Sequence, residues 1–334
     1  VHVLLKTLHC IYELHADNEK KYEYIYQIAQ KSIILYVPDY ASCKEWYEYS
    51  LFTWHKKFIA GLFDDAYQIS KELYDNLSNI FGLFDLNDDI IGRIYSAHGL
   101  SLKMLEGGNT ATNFFKEGIK KFPDSYNIRA AYLSQEGNRL LKENPLEAVK
   151  KYSELLDAVK GKVYPFLEII HTRVDIAMSN FLAQKYDIAE IWAREGLSVA
   201  STLGIHIQKG RALNILGCCK VASGQYTEGL NLFKDSDFYL ELSGAVIYRW
   251  RALLNQASVL LDKGNKKEAK NLILQVVNIL LSDFIKKIKS DNISVPYQSL
   301  LLILMYLHEL EEDVEYILTQ LEDISIQDDF YRLC

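Results

Sequence analysis

Small residues return along this chain at nearly constant intervals. Ala66, Ala111, Ala148, Ala189, Gly229 and Ala269 each lie in a helix-period apolar stretch, separated by 45, 37, 41, 40 and 40 residues. When "LNILGCCKVASGQYTEGLNLF" (213–233) is laid on "LLNQASVLLDKGNKKEAKNLILQVV", Gly217 falls on Ala257, Gly224 on Gly264, Gly229 on Ala269 and Phe233 on Ile273, each offset being 40. Upstream, "VDIAMSNFLAQKYDIAEIWAREG" supplies Ala177, Tyr186, Ala189 and Gly196. "IYSAHGLSLKMLEGGNTATNFFKEGIKKFP" supplies Gly99, Ala111, Phe115, Gly118 and Pro123. A helix-interior glycine costs about 1 kcal/mol relative to alanine, so recurrent ones mark places where a neighbour must come close. Each unit therefore reads as a first helix with a small residue, a turn, and a second helix with a small residue and a larger one a turn later. Gly217 and Gly229 are expected at helix contacts, Gly224 in the turn, and Tyr226 as a packing residue.

One such hairpin cannot bury its apolar face alone, so consecutive hairpins must stack. The pattern resembles the tetratricopeptide (TPR) repeat, most completely in "IYSAHG…FFKEG…FP", where Pro123 ends the second helix. The likeness runs from about Trp46 to Leu321, with a unit near 40 residues where the family's standard is about 34. It implies an all-α fold, a right-handed superhelical solenoid of stacked antiparallel helix pairs. The expected division is 1–45 as N-terminal capping helices, 46–285 as TPR-like repeats, and 286–334 as a loop and C-terminal capping hairpin, with Val314 in a last degenerate copy.

Composition narrows the function. The formal net charge is −7, which argues against direct nucleic-acid binding, since phosphate contacts need a basic surface. The longest apolar run, Leu300 to Leu307, is too short to span a bilayer, so no membrane association is expected. Cys10, Cys43, Cys218, Cys219 and Cys334 form no even framework and no Cys-x-x-Cys pair. They read as free thiols of a cytoplasmic protein. Val1 stands where an initiator methionine would, and the expectation is that residue 1 is not the translational start. No phosphate loop, nucleophile elbow, zinc motif or dinucleotide fingerprint is present, so no cofactor, no metal and no enzyme activity are expected of these residues.

In TPR-like arrays the first helix of each repeat lines the concave surface. Six residues before each first-helix small residue stand Glu48, Arg93, Ala130, His171, Arg211 and Arg251. On an acidic protein this partly basic ladder is a candidate docking track for a carboxylate or acidic peptide, because arginine makes bidentate, charge-assisted bonds. Asn214, Asn255, Tyr248 and Trp250 are candidates to touch a bound peptide, with His55, Met178 and Phe181 extending the groove. The competing reading is that these arginines pack on neighbouring helices and pair with nearby carboxylates. The candidate ligand set is thus Arg93, His171, Arg211, Asn214, Tyr248, Arg251 and Asn255.

The resemblance implies a protein- or peptide-binding scaffold, the sensor or regulatory portion of a bacterial regulator. Relatives of that kind carry a DNA-binding domain or belong to large signalling ATPases. The alternatives are an assembly adaptor that forms a homodimer through terminal hairpins, and a peptide-controlled phosphatase-type regulator.

Overall fold

In the computed structural model, residues 44–281 are described except 60–61, 81–82, 84–88 and 163–165, together with Gln27 and Lys31. Most of the expected caps at 1–45 and 286–334, and Val314, lie outside the described residues. Every described regular element is a helix. They run α1 (Lys44–Ile59), α2 (Phe63–Asp75), the short α3 (Leu77–Ile80), α4 (Asp89–Glu106), α5 (Gly108–Lys121), α6 (Tyr126–Glu143), α7 (Pro145–Val159), α8 (Phe166–Leu182), α9 (Tyr186–Leu203), α10 (His206–Ala222), α11 (Tyr226–Leu242), α12 (Val246–Asp262) and α13 (Lys266–Leu281).

Consecutive helices pair as six antiparallel hairpins: α1/α2, α4/α5, α6/α7, α8/α9, α10/α11 and α12/α13. Each second helix also packs on the first helix of the next hairpin. First helices touch the next first helices (α4 with α6, α8 with α10, α10 with α12), whereas second helices make no comparable contact with one another. On a curved stack the elements that crowd are the inner ones, so the first helices form the concave wall. The result is a TPR-like helical solenoid, as the repeat spacing predicts.

The hairpins close where a missing side chain meets a ring. A Cβ placed on Gly217 would come within 2.5 Å of the Phe233 ring; the same test gives 2.2 Å from Gly99 to Phe115 and 2.5 Å from Gly137 to Tyr152. These rings are fully buried. The partners are 15 or 16 residues apart each time. Two of the three remaining hairpins use less contrast: Ala177 with Ala193, and Ala257 with Ile273, all four buried. Gly229 carries the second close approach, against Val221 and the Gly217 carbonyl. Both glycines therefore sit at helix contacts. Tyr226 does not: it begins α11 with 44% of its surface exposed, because the first residue of the second helix projects beyond the hairpin end.

The turns inside three hairpins also keep register. Gly224 and Gly264 have φ of 77° and 76°, and at the matching position, 40 residues earlier, Gln184 has φ of 60°. A side chain there is strained by its own Cβ. Local capping starts other helices. Ser125 Oγ accepts from the Ile128 amide (3.4 Å), and Asn144 Oδ1 accepts from the Glu147 amide (3.2 Å), with Pro145 at the first position of α7.

Near the first hairpins, Ser70 Oγ lies 3.2 Å from His98 Nδ1, and the His98 ring stacks on Tyr74 and Tyr67 and meets the edge of Phe114. Burial pushes His98 down to about 4, which keeps this core histidine neutral at pH 7.

Two stability predictions follow from this packing. Gly217→Ala should destabilise the chain by about 1–2 kcal/mol, overpacking outweighing the gain in helix propensity. In a Phe233→Leu background the same substitution should be neutral or stabilising, so denaturation of the four chains of the cycle should show coupling of opposite sign to the single cost. Gln184→Gly should stabilise by about 0.5–1 kcal/mol, read as a rise in the denaturation midpoint, because it relieves the left-handed strain.

Candidate functional site

The hairpin register places the ladder at the N-terminal half of each first helix, on the concave wall. One rung moves. Gly137 plays in α6 the part that Gly217 plays in α10, so the matching residue is Ala131 rather than Ala130, which is fully buried.

The rungs bond to one another along the row. Arg93 Nη1 donates to both oxygens of Glu48, at 3.0 Å each, and Glu48 is only 1% exposed. Arg211 Nη1 donates to Gln208 Oε1 at 3.0 Å and lies 3.4 Å from His171 Nδ1, while Nη2 donates to Asp175 Oδ1. The Arg211 guanidinium also lies 4.6 Å from the Tyr248 ring centroid. Arg211 thus ties α8, α10 and α12 together. Burial opposes its charge, but Asp175, Tyr248 and Tyr152 outweigh that and hold its pKa above the ordinary value. Removing one partner from a buried pair of this kind costs about 3–5 kcal/mol, so Arg93 and Arg211 are first of all joints between hairpins.

The two asparagines meet. Asn255 Nδ2 donates to Asn214 Oδ1 (3.0 Å) and contacts Cys218 Sγ (3.4 Å). Among the described residues, Asn214 Nδ2 and Asn255 Oδ1 have no partner, and neither is enclosed away from solvent. A donor and an acceptor thus stand side by side on adjacent inner helices, the complement of one peptide unit.

Arg251 is solvent-exposed and lies 5.1 Å from the Trp250 ring centroid. Its pKa is lowered by burial, with Tyr248 opposing and Arg211 reinforcing the effect. Other candidates from the sequence pack against their neighbours. Trp250 is 4% exposed and belongs to the core. Met178 and Phe181 pack against the α8–α10 core, Phe181 with its ring on Tyr186. His55 is half-buried beside Trp54.

Four groups on or beside this wall escaped the sequence reading. Lys103 on α4 is half-buried, and burial pushes it down to about 8 although Asp175 acts to raise it. Lys142 on α6 is lowered by burial and then by the charge of Arg251. Asp175 and Gln208 are the others; Gln208 is fully buried with its Nε2 unpartnered. A helical stripe could have found Lys142, eleven residues after Ala131 and so on the same face, and Asp175, four after His171. Nothing in the pattern singles out Lys103.

Chemistry of other kinds finds no support on this wall. Burial pushes Cys218 up to about 12 and Cys219 up to about 11, which leaves both as protonated, weakly reactive thiols. Among the described residues no group of three His, Cys, Asp or Glu could hold a metal ion, and no helix is long and apolar enough to cross a membrane.

No protein-family model matches the chain, and no curated protein matches it. Solved structures do. The chain is similar to a Rap protein complexed with competence and sporulation factor, with a TM-score of 0.60, 12% identity, and coverage of 82% of this chain and 76% of that one. It is similar to the apo form of RapI, with a TM-score of 0.50, 14% identity, and coverage of 84% and 76%. A signal transduction ATPase with numerous domains and a tetratricopeptide repeat sensor, from Pyrococcus horikoshii, aligns with a TM-score of 0.49 at 16% identity, over 87% of this chain and 44% of that one. At these identities the likeness is one of fold.

Lys103 gives the wall a measurable signature. In the folded chain its pKa, about 8, lies below the ordinary lysine value of 10.5. The unfolded chain therefore holds the proton more tightly, and the charging penalty is present in full below pH 8 and fades as pH rises toward 10.5. Lys103→Met should raise the melting temperature at pH 7, and the gain should shrink steadily between pH 8 and 10; a gain independent of pH would point to packing alone.

Proposed function

We propose that this chain is a binding scaffold, not a catalyst, and that its concave wall captures an extended segment of a peptide or protein as the sensing or regulatory part of a larger system. The observation that carries this reading is the Asn214–Asn255 pair. Its unpartnered donor and acceptor stand on adjacent inner helices next to Tyr248 and Arg251, an arrangement suited to an extended backbone with a side chain on either side. The fold supports it: a protein of the same architecture was solved with competence and sporulation factor bound. A regulatory scaffold needs no nucleophile or metal, and the strongly perturbed groups named here are cations, a phenol and thiols that burial keeps protonated. The placement of such a scaffold in the cytoplasm is part of the same proposal.

Affinity-purification proteomics with the wild-type chain and an Asn255→Ala, Arg251→Ala variant tests the assignment. The variant keeps the Arg211–Asp175 joint and should fold normally by circular dichroism. Its recovery of the main partner should fall by about tenfold or more, the worth of one or two hydrogen bonds to a charged or amide group. Identical partner sets from both chains would overturn the concave-wall assignment.

A further inference from the structure

The second helices repeat an outward register of their own, and two of them break it. Just before the small residue the other five carry an aspartate, threonine or glutamate, where α9 has Ile188. Two residues after it they carry glutamine, asparagine or lysine, where α9 has Ile191. Nine after it they carry aspartate, lysine, serine or asparagine, where α11 has Phe238. Ile191 is 58% exposed and Phe238 57%, the highest values among the described large apolar residues. Ile188 lies one turn before Ile191, and Leu242, also exposed, one turn after Phe238. A single exposed apolar residue means little, but these stand where every other hairpin presents water with a polar group.

α9 and α11 lie side by side on the convex surface, each packed on α10 and without comparable contact between themselves, so a groove runs between them. Lys220 of α10 reaches both sides of it, 3.4 Å from Glu190 of α9 and 3.6 Å from Glu228 of α11. This bridge sets the two helices level, and Phe238 then stands about 10–15 Å further along the groove than Ile191, on the opposite side. The two helices carry seven carboxylates against two cations, Arg194 and Lys234. Both cations are paired, Arg194 with Glu190 at 2.6 Å and Lys234 with Glu268 at 3.7 Å. The exposed Asp187 and Asp235 form no ion pair among the described residues. They lie four residues before Ile191 and three before Phe238, so each shares the outward face of that apolar residue. By contrast α5 and α13 each carry three lysines against one glutamate. The helix α2 is also acidic, but it exposes no large apolar residue.

We propose that this convex groove binds an amphipathic helix of a partner protein, one whose apolar stripe is flanked by lysine or arginine. A helix laid along the groove sets two apolar side chains, seven or eight residues apart, on Ile191 and Phe238, because two turns advance about 11 Å. Its basic flanks meet Asp187 and Asp235, which have no existing ion pair to give up. Charge disfavours the other occupants. A second copy docked through the same face would set these carboxylates against their own duplicates, and an anionic bilayer would repel them. The groove lies on the side of the array opposite the concave wall and does not depend on what that wall binds. A partner seated there leaves the inner surface open, so one chain holds a segment inside and a helix outside.

The experiment is selection of a displayed library of helical peptides on the full chain. It is repeated on three double variants: Ile191→Ser with Phe238→Ser, Asp187→Lys with Asp235→Lys, and, on the concave side, Asn255→Ala with Arg251→Ala. All but Asn255 are exposed, and circular dichroism melts check that each variant folds. The wild type should select lysine- and arginine-rich peptides with apolar residues seven or eight apart. The same peptides should survive the concave pair of substitutions and be lost with either convex pair. Synthesised winners should bind the Ile191→Ser, Phe238→Ser chain about 10–100-fold more weakly, as expected for the loss of two apolar anchors, and should weaken with added salt. Winners that need Ile191 and Phe238 yet carry no excess of basic residues would overturn the basic helix. No winners, or winners lost only with the concave pair, would overturn the convex groove itself. Light scattering over a concentration series and co-sedimentation with phosphatidylserine vesicles complete the test. Dimerisation or vesicle binding that Ile191→Ser with Phe238→Ser abolishes would give the face to a second copy or to a membrane, and so overturn the proposal.

Discussion

The architecture depends on a contact that requires almost nothing on one side of it. Where Gly217 faces Phe233, Gly99 faces Phe115 and Gly137 faces Tyr152, the absence of a Cβ lets a ring come close against the backbone of the partner helix. A well-packed interior tolerates neither a gap nor an extra methyl, so this contact sets both the distance and the rotation of each hairpin. Everything on the concave wall inherits that rotation. Arg211, Asn214 and Gln208 share one face of α10 because Gly217 has fixed which face turns to α11.

With rotation settled, the polar groups of successive first helices arrive opposite one another in a regular way. Glu48 meets Arg93, Asp175 and His171 meet Arg211, and Asn214 meets Asn255, over separations of 45, 36 and 40, and 41 residues. A solenoid repeats a position more faithfully than it repeats a residue. The same row can therefore hold a buried ion pair at one end and an accessible arginine at the other. The difference lies in whether a carboxylate occurs within one helical turn on the preceding hairpin. Arg211 has Asp175 in that place; Arg251 has Ile215, buried and apolar.

Much of this was readable in the sequence, and what was missed has physical causes. The repeat spacing located the hairpins because small residues at helix contacts are a local requirement that survives drift in the loops. It misplaced the ladder rung in α6 by one residue, since α6 and α7 are matched by Gly137 and Tyr152 at a spacing of 15 where the other copies use 16. The ladder itself was found, but its arginines were read singly, and pairing between rungs needs the curvature that brings neighbouring hairpins within reach. Lys103 was invisible for a stronger reason. Its setting comes in part from Asp175, on a helix far away in sequence, and no periodicity within α4 encodes that meeting. Tyr226 was misread because a residue one step outside the packed span has the same composition as one inside it.

The hairpin of α8 and α9 departs from its neighbours in one respect. Its matched residues are Ala177 and Ala193, two small side chains where the hairpins on either side seat a ring in a hollow. Stacked units behave mechanically like springs in series, and a load applied along such a chain concentrates its strain in the softest member. A smooth alanine seam resists sliding less than an interlocked ring does. Of the three hairpins from α6 to α11, the one with the least interlocked seam also carries His171 and Asp175, so sliding there would be felt at the Arg211 joint.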